Sequence, residues 1–349
     1  MMDRRSFLGA AGAGLLLCTV DGRTVQVTSA KDVEDVDRAA AALRQPGSAR
    51  AAQEGGEFPT PEPQAGGRAR EFWLAARPVR WTIAPASRDE WMKKAIPEPS
   101  TFKALVYQQY SAGFAAPIGP AEIPGPTLRA EVGDTIVVHF RNDAESFNQA
   151  LTVHPHGVRY NPEYDGSYLG DFTRAGGFVA PGEEFTYVWE CTPQAVGAWP
   201  YHDHGPNHTL NTFRGLFGAI IVREKGDPGP EVQQVLYMHS FPPPVTNLEV
   251  TYQCLNGRTG AGNTPTVQAR VGQDVAWYVF GGDSNFHTFH VHGHRWRGRG
   301  GAFEDCPTFG PNETLIAAWR EDNPGRWLYH CHVFTHQDAG MAGWYLVDP

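Results

Sequence analysis

Several things are scarce in this 349-residue chain, and each shortage closes a class of function. Basic residues are outnumbered, 29 Lys and Arg against 38 Asp and Glu, so the formal charge of −9 offers no cationic field for gripping phosphates. No nucleic-acid partner is expected. Long apolar runs are lacking too: the stretch from Leu8 to Val20 is too short to span a bilayer, so no membrane span is expected. Cysteine is limited to five residues, and each has to be explained singly. Also missing is any long segment of 3.6-residue periodicity, the signature of amphipathic helices.

What the chain does contain begins with Arg4 and Arg5 directly before that apolar stretch, followed by Phe7 and Leu8. This pattern predicts a twin-arginine export signal over residues 1–30, and hence a periplasmic or secreted protein. That route carries folded chains, which suits a cofactor loaded before export. Cys18 is expected to leave with the signal; a lipid anchor on it is disfavoured because Leu17, not a small residue, precedes it. Residues 31–68 are rich in Ala, Gly, Pro, Glu and Gln with few large apolar side chains, and are expected to form a flexible arm or linker. Cys254 and Cys306 are candidates for a disulfide, with buried free thiols the equal alternative.

From about Arg70, short runs rich in Val, Ile, Thr, Tyr, Phe and Trp alternate with Gly and Pro, the pattern of all-β sandwiches. The chain also repeats itself. Glu131-Val-Gly-Asp-Thr-Ile-Val-Val-His-Phe140 returns as Arg270-Val-Gly-Gln-Asp-Val-Ala-Trp-Tyr-Val279, and Thr152-Val-His-Pro-His-Gly157 returns as Phe289-His-Val-His-Gly293. Trp199-Pro-Tyr-His-Asp-His204 returns as Trp327-Leu-Tyr-His-Cys-His332. Two copies of one β-domain are therefore predicted, over residues 69–226 and 232–349.

Residues two apart on a strand point to one face, so each His-X-His pair presents two imidazoles together. Four such pairs occur: His154 and His156, His202 and His204, His290 and His292, His330 and His332. Eight neutral imidazoles suit copper, zinc or iron and exceed what one metal takes, so a polynuclear centre is predicted. Cys331, between His330 and His332, points to the opposite side of its strand and must serve a different metal. With His287, His336 and Met341 it makes two imidazoles, a thiolate and a weak axial thioether, the blue-copper electron-transfer set. The backbone joins Cys331 directly to the cluster-facing histidines, so electrons have a short path.

The segments His287-Thr-Phe-His-Val-His-Gly-His-Arg-Trp296 and Tyr329-His-Cys-His-Val-Phe-Thr-His-Gln-Asp-Ala-Gly-Met341 resemble the ligand motifs of multicopper oxidases, and in particular of two-domain, or small, laccases. The match runs from about residue 123 to the C-terminus. This resemblance implies two cupredoxin-like Greek-key β-sandwich domains and four coppers per functional site. Type 1 copper would sit on His287, Cys331, His336 and Met341, and type 2 copper on His154 and His290. The type 3 pair would take His156, His202, His204, His292, His330 and His332. The resemblance further implies one-electron oxidation of a phenolic or similar small reducing substrate, reduction of dioxygen to water, and a homotrimer with clusters shared between chains. Tyr160 stands where small laccases carry a tyrosine close to the type 2 copper. Asp165 is a candidate proton relay. Both also read as ordinary loop residues.

The first repeat carries no blue site: Leu151, Asp203 and Phe213 stand where the second has His287, Cys331 and Met341, and only His208 keeps the place of His336. His139, His239 and His294 have no partner spacing and are expected to be ordinary strand or loop residues. There are three rival readings. A two-domain copper nitrite reductase has the same fold but needs one type 2 copper and a blue site in its first domain, whereas here the blue set is in the second. The remaining two use the same ligand framework. One is a metal-ion oxidase acting on ferrous, manganous or cuprous ion, the last disfavoured by a total of only five methionines. The other is a non-catalytic copper-binding protein, which would tolerate missing ligands; none is missing.

Overall fold

A computed structural model describes residues 16–45 and 58–349. Arg4, Arg5 and the start of the apolar stretch lie outside the described residues. Strand Thr135–Asn142 shows how the sequence makes a sheet: Ile136, Val138 and Phe140 turn inward and are fully buried, while Val137, His139 and Arg141 face out. In the first domain, strands Thr101–Tyr110, Ala69–Thr82, Thr135–Asn142 and Glu184–Glu190 form one sheet in that order. Leu128–Glu131, Phe217–Arg223, Gly197–His202 and His154–Pro155 form the facing one.

The second domain repeats the plan. Tyr252–Leu255, Val232–Phe241, Asp274–Gly281 and Thr314–Arg320 make its first sheet. Val267–Arg270, Ala342–Asp348, Gly325–Cys331, His287–Val291 and Thr308–Phe309 make its second. Even the parallel neighbours recur, Ala69–Thr82 beside Thr135–Asn142 and Val232–Phe241 beside Asp274–Gly281. Both domains are cupredoxin-like β-sandwiches, each with an apolar core between its sheets. A third core joins the two domains: Phe102 and Phe217 of the first pack with Tyr237, Phe241 and Phe280 of the second. The Tyr237 hydroxyl donates across this seam to the Gly218 carbonyl at 2.6 Å.

The N-terminal expectation needs correction. Leu17–Val20 pairs with Arg23–Gln26 as a hairpin whose turn, Asp21-Gly22, takes positive φ at both residues. Ala30–Ala42, assigned above to a flexible arm, is a helix with a reciprocal cap between Ser29 and Asp32. Composition concealed it, because its apolar face rests on small residues: Val33, Val36 and Ala40, spaced three and four apart, bury with Cys18 and Val20 against Leu210. Arg214 locks the helix down with a two-pronged pair to Asp37 at 2.6 and 2.9 Å. Cys18 lies buried in that hairpin, packed with the helix. The five cysteines are free thiols, so Cys254 and Cys306 are not joined.

Candidate metal centres

Strand pairing builds the mononuclear site. Phe289 lies opposite Cys331 across the Gly325–Cys331 and His287–Val291 ladder, which aims the Cys331 thiol into the core of the second domain. The Cys331 Sγ lies 3.8 Å from His287 Nδ1 and 3.7 Å from His336 Nδ1, with Met341 fully buried in the same core. Bonds of roughly 2.0–2.3 Å at tetrahedral angles put such donors about 3.6 Å apart, so the set fits one ion. His287 Nε2 meets the buried Asp283 carboxylate at 3.1 Å, which fixes the ring with Nδ1 facing the thiol.

The electrostatics favour a thiolate beside a protonated His287, whose Nδ1 proton a bound ion would replace. Burial pushes the Cys331 thiol up, but hydrogen bonding to His287 and His336 outweighs it and holds the thiol down at about 6. Burial acts likewise against Asp283, which His287 nevertheless draws down to about 2. His287 is raised to about 9, its partners Asp283 and Cys331 overcoming the burial that works against its charge. A thiolate at neutral pH is the form that binds metal.

The His-X-His pairs form two sets with the same construction. In the first, His154 Nδ1 contacts the Asp165 carbonyl at 2.6 Å and His202 Nδ1 the Asp203 carbonyl at 2.8 Å. In the second, His290 Nδ1 contacts the Asp305 carbonyl at 2.7 Å and His330 Nδ1 the Cys331 carbonyl at 2.9 Å. A carbonyl can only accept, so each of these Nδ1 atoms carries the proton and each Nε2 keeps its lone pair for a metal. His156 and His202 bring their Nε2 atoms to 3.1 Å, and His292 and His330 do the same at 3.1 Å. The buried Nδ1 of His204 has no hydrogen-bond partner, and a metal ion would satisfy it. Burial, then neighbouring imidazoles, hold His156 down at about 4, and burial does the same to His330. All of this favours neutral, ligating rings. Among the described residues, no group of three or more donors mixes the two sets.

Tyr160 and Asp165 both lie beside the first set. The Tyr160 ring stands 5.8 Å from that of His154, and an Asp165 carboxylate oxygen is 3.2 Å from His154 Nδ1. Burial raises the Tyr160 hydroxyl, and Asp165 adds to the effect; the Asp165 carboxyl itself is lowered by His154 and Ser167 against the opposing effect of burial. His208 stacks on His204 at 4.6 Å, and His139 stacks on Trp73 beside Glu71. His239 is buried and accepts the Gly257 N–H.

One register expectation fails. Cys331 N donates to the Met341 carbonyl, and Asp203 N donates to that of Leu216. Leu216, not Phe213, therefore stands opposite Met341, because helix His208–Arg214 is longer than its counterpart Phe334–Asp338 and counting from His208 slips by three residues. His294, expected to be an ordinary strand or loop residue, is buried against Glu321, directly behind His292.

Two cupredoxin domains, with a Cys–His site bonded through one peptide to a histidine set, define a copper-binding oxidoreductase. Descriptions of multicopper oxidases match the chain over residues 120–227 and 227–349, and the chain belongs to that family. It is built from two cupredoxin-like domains. Human ferroxidase HEPHL1 is 30% identical over 303 residues, covering 71% of this chain; the chain spans about a quarter of that relative, 25%. Among solved structures, a multicopper oxidase superposes with a TM-score of 0.64 at 24% identity, covering 83% of this chain and 93% of that one. The blue copper oxidase of Nitrosomonas europaea gives 0.62 at 21% identity, covering 80% and 86%.

Proposed function

We propose that this multicopper oxidase is laccase-like: it takes single electrons from phenolic or similar reducing substrates at a type 1 site and passes them to dioxygen at a three-copper cluster. The observation that carries this reading is the complete donor set: a Cys–His–His–Met site one peptide bond from the His330–His332 pair, and three further His-X-His pairs in the two domains. Copper, when bound, would supply the one-electron steps and the reduction of dioxygen to water. The residues would do the rest. His287, Cys331, His336 and Met341 hold the type 1 ion, with Asp283 aiming His287. His154 and His290 serve the type 2 ion, and the pairs His156–His202 and His292–His330, with His204 and His332, serve the type 3 ions. Cys331 links the two sites because His330 and His332 flank it. Asp165, against His154, is placed to move protons, and Tyr160 to lend an electron.

We further read the clusters as shared between chains of a homotrimer. The support is that the two histidine sets stay apart within the chain, and that an exposed apolar ring borders the second: Phe334, 67% exposed, lies 5.5 Å from His332. Export by the twin-arginine route belongs to the same proposal.

A second reading, ferrous ion as the electron donor, draws on the identity with the human ferroxidase. Kinetics of the copper-loaded protein against phenols, ferrous ion and manganous ion, with oxygen uptake recorded, distinguish the two. Phenol turnover with stoichiometric oxygen uptake is the expected result; turnover of ferrous ion alone would replace the laccase-like reading. Cys331→Ser should abolish both the blue absorbance and substrate oxidation.

A further inference from the structure

Directly behind the exposed ring of His292 lies a buried polar group of side chains. His294 Nδ1 donates to the His292 carbonyl at 2.7 Å and its Nε2 meets Glu321 Oε1 at 3.0 Å, with both side chains out of solvent. Glu321 also accepts from Trp319 Nε1 at 2.9 Å, from the Tyr345 hydroxyl, and from the N–H groups of Asp322 and Asn323 at 3.1 and 3.0 Å. Asn323 in turn donates to the Gly293 carbonyl at 3.2 Å. Both carbonyls of the turn leaving His292 are thus held by groups that Glu321 organises.

The duplication supplies a control. Glu321 N donates to the Gln273 carbonyl and the Glu321 carbonyl accepts from Gly272; Cys191 does the same with Asp134 and Gly133, so the two residues are equivalent. Tyr345 lies opposite Trp327 as Ile220 lies opposite Trp199, and His294 follows Gly293 as Val158 follows Gly157. Val158, Cys191 and Ile220 all belong to the apolar core of the first domain. One sandwich is therefore built with Val, Cys and Ile where the other has His, Glu and Tyr. Burying an imidazole and a carboxylate is costly unless both are fully bonded, and folding does not demand it here. The turns differ accordingly. The His156 carbonyl is closed by the Val158 N–H at 2.9 Å, whereas the His294 N–H goes to Val291 at 3.2 Å and the His294 ring takes the His292 carbonyl instead.

We propose that His294 and Glu321 are positioning residues for the cluster: they brace the His292 backbone from beneath, so that its otherwise exposed ring keeps Nε2 beside that of His330. The proposal rests on the histidine set being the copper cluster.

The test uses the copper-loaded full chain. One variant transplants the apolar trio, His294→Val, Glu321→Cys and Tyr345→Ile; a second is Glu321→Gln; a third, His294→Asn, keeps a donor for the His292 carbonyl. Copper content and the near-ultraviolet band of the coupled copper pair are read, with the blue absorbance of the Cys331 site reporting that the domain is folded. Expected is a several-fold loss of the near-ultraviolet band and of cluster copper in the first two variants, partial recovery in His294→Asn, and unchanged blue absorbance. Retention of the full band in the trio variant and in Glu321→Gln overturns the inference. Should the trio variant lose its blue absorbance, Glu321→Gln alone decides. A wild-type protein without the near-ultraviolet band would sink the oxidase reading and this inference with it, whereas a normal wild type with unaffected variants overturns the inference only.

Discussion

At the scale of single residues, burial decides what each histidine can do. Asp283 is placed to fix the His287 tautomer, and losing such a partner typically costs a metal site about 10–100-fold in affinity. Asp283→Asn should lower copper affinity by that order, read from a titration of the blue absorbance. His239 makes a different prediction. It is fully buried, which holds it down at about 4, and its Nε2 accepts the Gly257 N–H at 2.9 Å. The unfolded chain, with its imidazole near the usual 6.5, binds the proton more readily. His239 therefore contributes stability above about pH 6.5 that is lost as pH falls to about 4, roughly 3 kcal/mol in all. Melting temperatures of the copper-free protein should fall between pH 7.5 and 4.5, and His239→Gln should make that fall shallower, with His156 and His330, also held at about 4, supplying the remainder. The candidate donors share faces in the way the sequence predicts, because strand alternation fixes what lies on one face. The burial of His294 was not legible there, since its partner Glu321 comes from a distant strand end and no local spacing announces it.

Among the elements, the same contrast between local and tertiary signals recurs. Short β-rich runs and a repeated glycine turn made both sandwiches readable, because period-two burial is written into each strand. The helix Ala30–Ala42 escaped because its buried face depends on a surface that only the folded domain provides, and because Arg214, 177 positions further on, anchors it. Breaking a buried pair of this kind costs about 3–5 kcal/mol. Arg214→Ala should therefore release the helix, seen as faster hydrogen exchange across residues 30–42, while the blue absorbance of the second domain persists. The turns after the histidine pairs are equally specific. Gly157 has a φ of +72°, and a Cβ there would come within 1.9 Å of the Trp199 ring. Gly157→Ala should cost upwards of about 2 kcal/mol by thermal melting and displace His156 from His202.

For the whole molecule, the interdomain core fixes how the two sandwiches face each other, and with it the directions in which the histidine sets point. Light scattering should find the proposed trimer; a monomer that keeps full copper and activity would refute the shared clusters. Complementation is a sharper check. A chain carrying His156→Ala and His202→Ala, and another carrying His292→Ala and His330→Ala, should each be inactive alone and regain activity when refolded together. The two separate half-sets also have a genetic corollary. In a ring where every chain serves two clusters, a chain damaged in both halves spoils two centres rather than one. Activity in a mixed population would then fall as the square of the intact fraction, and such an allele would behave as a dominant one.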